Sequence, residues 1–409
     1  MFTMSSTTSA SRGRGIAVGS RREAVEARTK ICVVGSGSWF LSGISYYTHE
    51  VAAALSEQFA VSVILMRRLI PKRLYPGRAR VGHDLSVLQY PADIRVFDGV
   101  DWFWGSTILR CLSFVRSESP DFVIFEWWTG AVLHTYLLLA VTARLMGARI
   151  VIEFHEVEDV GEQHIPFVGL YVSLAFPLLL RLASGSVVHS EHDRVALQKR
   201  FHKGLGVVVT LPHAPYDFHT KLADEEGTRT PEALGVTHLL YFGVIRPFKG
   251  VDDLVAAFNA LSPAEVSRFR LTIVGETWES FDVGPLIDAS AYRTCISFVN
   301  RYVHDDELAE YLRRADVVVL PYRRSSSSGP LSVAMGAGLP VIVSRVGGLV
   351  EAAAGYDGVI FVKPRDIGGL REAFLRAESF RGQRFPSKVS WENTATRIAE
   401  LLSSLGASG

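Results

Sequence analysis

Short apolar runs alternate with apolar stripes at helical spacing along most of this chain. In the first half, residues 30–34, 61–65, 122–125, 149–154, 186–189 and 207–211 read as strands, and Tyr47, Val51, Leu55 and Phe59 mark a helix between the first two. Residues 217–237 are polar and charged and carry Pro231, so they read as a linker. The alternation then restarts, with strands at 238–242, 269–274, 295–299, 316–320, 340–344 and 358–362 and helices at 250–260, 305–314, 329–337 and 366–379. Strands alternating with helices imply parallel sheets wound on both faces. The expected fold is therefore α/β, with two doubly wound domains facing each other across a cleft. The expected division is a disordered leader at 1–28, a first domain at 29–215, a linker at 216–237 and a second domain at 238–385. A closing helix at 386–409, striped by Trp391, Ile398, Leu402 and Leu405, is expected to pack back on the first domain.

Two stretches depart from this rhythm. Residues 67–105 cluster Arg, Pro and Gly before Asp101-Trp102-Phe103-Trp104, and read as a long functional excursion or lid. Residues 165–182 are apolar but interrupted by Pro166, Pro177 and Arg181. They fall short of the ~20 apolar residues that a membrane span needs. A buried core helix is the expectation, and an interfacial helix in peripheral contact with a membrane is the alternative.

Composition narrows the function classes. At 409 residues, two or three domains are expected. Lys and Arg number 43 against 42 Asp and Glu, so the broad basic footprint of a nucleic-acid binder is missing. Cys32, Cys111 and Cys295 are far apart and form no CxxC pair, which suggests a reducing compartment and no structural zinc. Residues 1–28 contain no apolar signal core. A cytoplasmic protein is expected, with the inner membrane face as the alternative site.

The densest chemistry lies at Phe242-Gly243-Val244-Ile245-Arg246-Pro247-Phe248-Lys249-Gly250, a strand-to-helix turn with two cations between glycines. Such turns lie where open α/β sheets bind ligands, and Arg246 with Lys249 can hold a diphosphate from two sides. Pro321 to Leu331 carries four consecutive serines into a helix, so amides near Ser328, Gly329 and Leu331 either meet a phosphate or form an ordinary serine cap. The glycine-rich turn with Gly35, Gly37 and Gly43 misses the GxGxxG spacing of a dinucleotide site. A plain turn and a clamp for donor phosphate or acceptor both remain open for it. His155 ends a strand in Glu153-Phe154-His155-Glu156, as either a structural histidine or one facing the cleft. The acids Glu156, Glu158, Asp159 and Glu162 follow without an HExxH motif, and the chain has no DxD. No metal ion and no cofactor are expected. Gly347-Gly348 precedes Glu351 on the same sheet edge.

The turn at 242–250, the segment from Ser328-Gly329 to Gly338-Leu339-Pro340-Val341-Ile342, and Val346-Gly347-Gly348-Leu349-Val350-Glu351 together resemble the retaining family 4 glycosyltransferases. The resemblance covers about 30–405. It implies the GT-B architecture: a Rossmann-like acceptor domain first and a Rossmann-like nucleotide-sugar domain second. It also implies transfer of a sugar from a UDP- or GDP-sugar to a sugar, lipid or small-molecule acceptor. By this resemblance Arg246, Lys249, Ser328 and Gly329 hold the donor diphosphate, and His155 lies near the transferred sugar. Gly37, Gly43, Gly243 and Leu331 join the donor site. One departure stands out. Where many members carry two glutamates eight apart, this chain has Ser325 and Val333, and Glu351 is the candidate to supply a lost acceptor.

Overall fold

The computed structural model describes residues 28–37, 43–68, 88–157, 166–201, 204–216, 235–278, 281–325 and 327–406. The leader, Trp39 and Phe40, residues 69–87 of the excursion, the acids Glu158, Asp159 and Glu162, and most of the linker lie outside these. The first domain is a seven-stranded parallel sheet. Its strands are β1 (Lys30–Ser36), β2 (Ala60–Arg68), β3 (Arg95–Asp101), β4 (Phe122–Trp127), β5 (Arg149–Phe154), β6 (Ala183–Val188) and β7 (Val207–Thr210), in the order β3-β2-β1-β4-β5-β6-β7. The second domain is six-stranded: β8 (Thr237–Phe242), β9 (Phe269–Val274), β10 (Ile296–Val299), β11 (Val317–Leu320), β12 (Val341–Ser344) and β13 (Val359–Val362), ordered β10-β9-β8-β11-β12-β13. Each order reverses once, between β1 and β4 and between β8 and β11. In open α/β sheets the crevice for ligands opens at that reversal, beyond the strands' carboxyl ends.

The strands are near-continuous Val, Ile and Leu because helices cover both faces. On the first sheet, helix α1 (Gly43–Ser56) covers one face. Helices α2 (Gly105–Glu118), α3 (Leu133–Leu145), α4 (Pro166–Leu182) and α5 (Glu191–Arg200) share an apolar cluster on the other. Helix α6 (Val251–Asn259) buries Leu254, Val255 and Phe258 and carries Asp252 and Asp253 in its first turn, where acids complement the helix dipole. The longer helices α7 (Asp305–Arg314), α8 (Gly329–Gly336) and α9 (Ile367–Ala377) also belong to the second domain. Helix α10 (Trp391–Gly406) returns to the first domain. It packs on α1, Leu401 and Leu405 lie over Gly185, and the Trp391 indole donates to the Pro215 carbonyl.

Two expectations change. The 67–105 excursion contains β3, an edge strand whose charged residues mask its pattern. The 165–182 helix is only half a core helix. Phe176, Leu179 and Leu180 are buried, while Leu170, Tyr171, Leu174 and Leu178 are exposed. Among the described residues, no helix is long and apolar enough to cross a membrane. All three cysteines are free thiols.

Candidate active site

A cleft of about 880 Å³ separates the domains, and its lining follows the strand ends closely. Trp128 lies just past β4, Glu156 past β5, Gly243 past β8, Glu276 past β9, Tyr322 past β11 and Gly347 past β12.

The turn after β8 presents both cations to this space. The Arg246 guanidinium stacks over Phe248 at 4.9 Å and Trp278 at 5.9 Å, and the Lys249 ammonium sits 3.7 Å above the Tyr322 ring. Gly250 has φ 68°, and a Cβ there would lie 2.1 Å from the Pro321 carbonyl oxygen. A glycine is thus what lets the turn lie flush on the serine-rich loop. Arg323 fastens the two segments. It bonds Asp252 at 2.6 Å and Asp253 at 2.7 Å, and it donates to the Pro247 carbonyl at 2.9 Å. Burial pulls the Lys249 pKa down to about 7, nearby Glu156 opposes this, and Arg246 adds to it.

The serine-rich loop is both a cap and a wall. Ser328 caps α8 by accepting from the Leu331 amide at 3.3 Å. The Leu331 amide is therefore engaged and its side chain is buried, so this residue stands behind the site. Pro330 has no N–H, and Gly329, the first residue of α8, lines the cleft. Gly329 faces Gly43, the first residue of α1: a Cβ on either would lie 3.7 Å from the other's Cα. Two helix N-termini thus converge across the cleft, each a positive dipole end suited to an anion.

Other anticipated residues fall elsewhere. Gly37 is buried at the end of β1, its amide bonded to the Met66 carbonyl at 3.1 Å, and it does not reach the cleft. Gly243, with φ 113°, lines the cleft. Glu351 is not a ligand-facing acceptor. Its carboxylate accepts from the Glu191 and His192 amides at 2.6 and 2.9 Å, capping α5 of the opposite domain. Ser325 and Val333 both line the cleft, so no carboxylate stands at either position. His155 is buried behind the wall. It sits edge-on to Tyr47 at 4.4 Å and 4.8 Å from His189, and its Nε2 has no hydrogen-bond partner. Its carbonyl accepts from Ser327 Oγ at 3.3 Å across the domain boundary.

Beneath the cleft lies a polar cluster whose only sequence signal is an acid inside each of two apolar strands. Glu126 on β4 accepts from Thr48, and Glu153 on β5 accepts from Tyr47. Burial holds Glu126 well above the usual carboxylate range, with Glu153 adding to the shift, and lifts Glu153 to about 7. Burial also drops His189 to about 4 and His213 to about 3, so both rings are neutral at pH 7. Ligand atoms of Glu126, Glu153 and His155 lie within 4.8 Å of one another. By donor type this buried trio could hold a cation.

Residues 236–378 match the profile of the family Glycosyl transferases group 1. Glycogen synthase of Mycobacterium tuberculosis is 32% identical over 181 residues, which is 41% of this chain and 42% of that protein. A GDP-mannose:glycolipid 4-beta-D-mannosyltransferase of Xanthomonas campestris is 34% identical over 119 residues, 29% of this chain and 32% of that protein. The chain thus spans less than half the length of these curated relatives. Among solved structures, sucrose-phosphate synthase from Thermosynechococcus elongatus matches with TM-score 0.63 at 16% identity, over 93% of this chain and all of that one. Anabaena HepE in complex with UDP and glucose matches with TM-score 0.59 at 16% identity, over 92% of this chain and all of that one. The fold is GT-B.

Proposed function

We propose, from a second domain that matches the group 1 glycosyl transferases, that this chain moves a sugar from a UDP- or GDP-sugar to an acceptor with retention at the anomeric carbon. The observation that carries the reading is the pairing of Arg246 and Lys249 with the facing helix N-termini at Gly43 and Gly329 in one cleft. Negative charge grows on the diphosphate as the glycosidic bond breaks. Preorganised donors aimed at developing charge supply a large share of catalysis, and here they come from both domains. On the retaining reading, the leaving phosphate oxygen takes the acceptor's proton on the same face, so no protein nucleophile is assigned. His155 is buried and does not line the cleft, so on this reading it supports the wall from behind. Arg246 and Lys249 carry the neutralisation of the leaving group.

Ser325 and Val333 favour a second reading, a nucleotide-sugar binder without transfer, because neither can accept a hydrogen bond in the manner of a glutamate. A thermal-shift panel of UDP- and GDP-sugars tests the site, since a ligand that binds only the native state raises its melting point. One nucleotide class is expected to stabilise the protein, and Arg246→Ala to abolish the shift while keeping its own melting temperature. An undiminished shift in the variant sinks the assignment. Release of nucleoside diphosphate only after acceptor is added separates transfer from binding. Conversion of donor alone would instead mark an epimerase.

A further inference from the structure

Among its described side chains helix α4 is polar only at Ser173, Arg181 and the Tyr171 hydroxyl, yet several of its apolar residues are exposed. Its inner face packs Phe176 against Trp127 and Phe154, with ring centroids 4.2 and 6.0 Å apart. Its outer face carries Leu170, Leu174 and Leu178, spaced i, i+4, i+8 on one stripe, with Tyr171 beside them. A surface helix of a water-soluble domain ordinarily puts polar residues on this side. The neighbouring α3 extends the patch with Val141 and Leu145, and Leu145 and Leu174 are 84% and 69% exposed.

The charges on the described parts of α2, α3 and α4 are mostly basic, while the acids Glu156, Glu158, Asp159 and Glu162 precede α4 in sequence. Arg110 and Arg116 on α2, Arg144 on α3 and Arg181 on α4 are all exposed. The one acidic side chain on the described parts of the three helices, Glu118, is paired with Arg95 at 2.8 Å. Arg144 is next to Leu145, and Arg181 is less than one turn beyond Leu178.

We infer that the α3–α4 face docks on the surface of an anionic lipid bilayer, with its aliphatic stripe in the headgroup boundary and its arginines among the lipid phosphates. A bilayer accepts projecting aliphatic side chains without shape complementarity, and basic residues beside an apolar helix face add electrostatic attraction to anionic lipid. Protein interfaces instead concentrate aromatic anchors in fitted pockets, and the exposed apolar side chains of this face are mostly aliphatic. The cleft residues Glu156 and Val157 precede α4 by about ten positions in sequence. Docking is read by binding alone and stands or falls independently of the transferase assignment.

The test is co-sedimentation of the full chain with vesicles of phosphatidylglycerol in phosphatidylcholine, compared with phosphatidylcholine alone. The wild type is expected to partition onto the anionic vesicles and to weaken on the neutral ones or in high salt. The double variant Leu174→Glu/Leu178→Glu is expected to lose at least about tenfold in partitioning with an unchanged melting temperature, since both positions are exposed. Arg144→Glu/Arg181→Glu should lose binding to anionic vesicles selectively. Three results overturn the inference: no vesicle binding by the wild type, equal binding by the leucine variant, or a self-associating wild type that the leucine variant makes monomeric without any vesicle binding.

Discussion

Lys249 gives the sharpest test of the diphosphate grip. Its ammonium is half-buried over Tyr322, and its pKa falls from 10.5 to about 7, with desolvation the largest cause. Unfolded, the lysine keeps its proton until pH 10.5. Folded and empty, it loses the proton near 7. Between those values the unfolded chain binds more protons, so this group makes the free protein more stable as pH rises through the window. A bound diphosphate reverses the local balance, because two phosphates favour the ammonium. Nucleotide binding above pH 7 must then take up close to one proton, and affinity should fall by about tenfold, or about 1.4 kcal/mol, per pH unit. The second ionisation of a phosphate monoester lies near pH 6 and so falls below the window. Calorimetry of the nucleoside diphosphate at pH 8.5, in two buffers of different ionisation enthalpy, counts the proton directly. Lys249→Arg places a permanently charged guanidinium at the same position, so proton uptake should vanish and affinity become flat with pH. Zero uptake by the wild type, or an identical slope in the arginine variant, would refute the argument.

The remaining predictions concern the buried cluster and the closed state. Glu153 ionises near pH 7 when folded against 4.5 in the free residue, so its stability contribution is full below 4.5 and is lost as pH rises through 7. Glu153→Gln, which still accepts from Tyr47, should therefore gain on the wild type by up to about 3 kcal/mol between pH 5 and pH 8 in urea unfolding; a constant difference would show that Glu153 is already ionised at pH 5. Glu351→Ala removes the cap that α5 receives from the second domain, at a cost of about 1 kcal/mol to the closed state. Small-angle scattering should show a larger radius of gyration for that variant, and an unchanged profile would mean that the clip does not hold the domains together.

Much of the fold was legible because both sheets are buried on two faces, which turns each strand into an apolar run. Strands 149–154 and 269–274 and helix 305–314 fall where the pattern puts them. The edge strand β3 was not legible. Its first four positions are largely solvent-exposed and include Arg95 and Asp98, so no apolar run announces it. The outer face of α4 was misjudged for the opposite reason, since periodicity cannot separate a helix buried on all sides from one with an apolar exposed face. In the site, Arg246 and Lys249 were visible from local spacing alone. Glu351 was not, because its partners are backbone amides some 160 residues earlier, and pairings between domains leave no mark in a local window. Gly37 closes β1 with its amide on the Met66 carbonyl, and a glycine closing a strand looks the same in sequence as one approaching a ligand.

The division of the grip between the domains gives closure a chemical consequence. Arg246, Lys249 and Gly329 belong to the second domain, while Gly43 opens a helix of the first. The first domain's helix terminus meets the site only when the domains are together. That state is held by contacts on three sides of the cleft: Tyr46 donating to Asp305, Ser327 to the His155 carbonyl, and the Glu191 and His192 amides to Glu351. Each contact joins one partner from either domain, and none uses Arg246 or Lys249. On the proposed function, a donor diphosphate meets the cations of the second domain and the α1 terminus of the first in one cleft. With a valine and a serine at 333 and 325, neither position offers a carboxylate to a hydroxyl, and the glutamates that line the cleft are Glu156 and Glu276. On the proposed function, recognition rests chiefly on the diphosphate, the group that carries the charge.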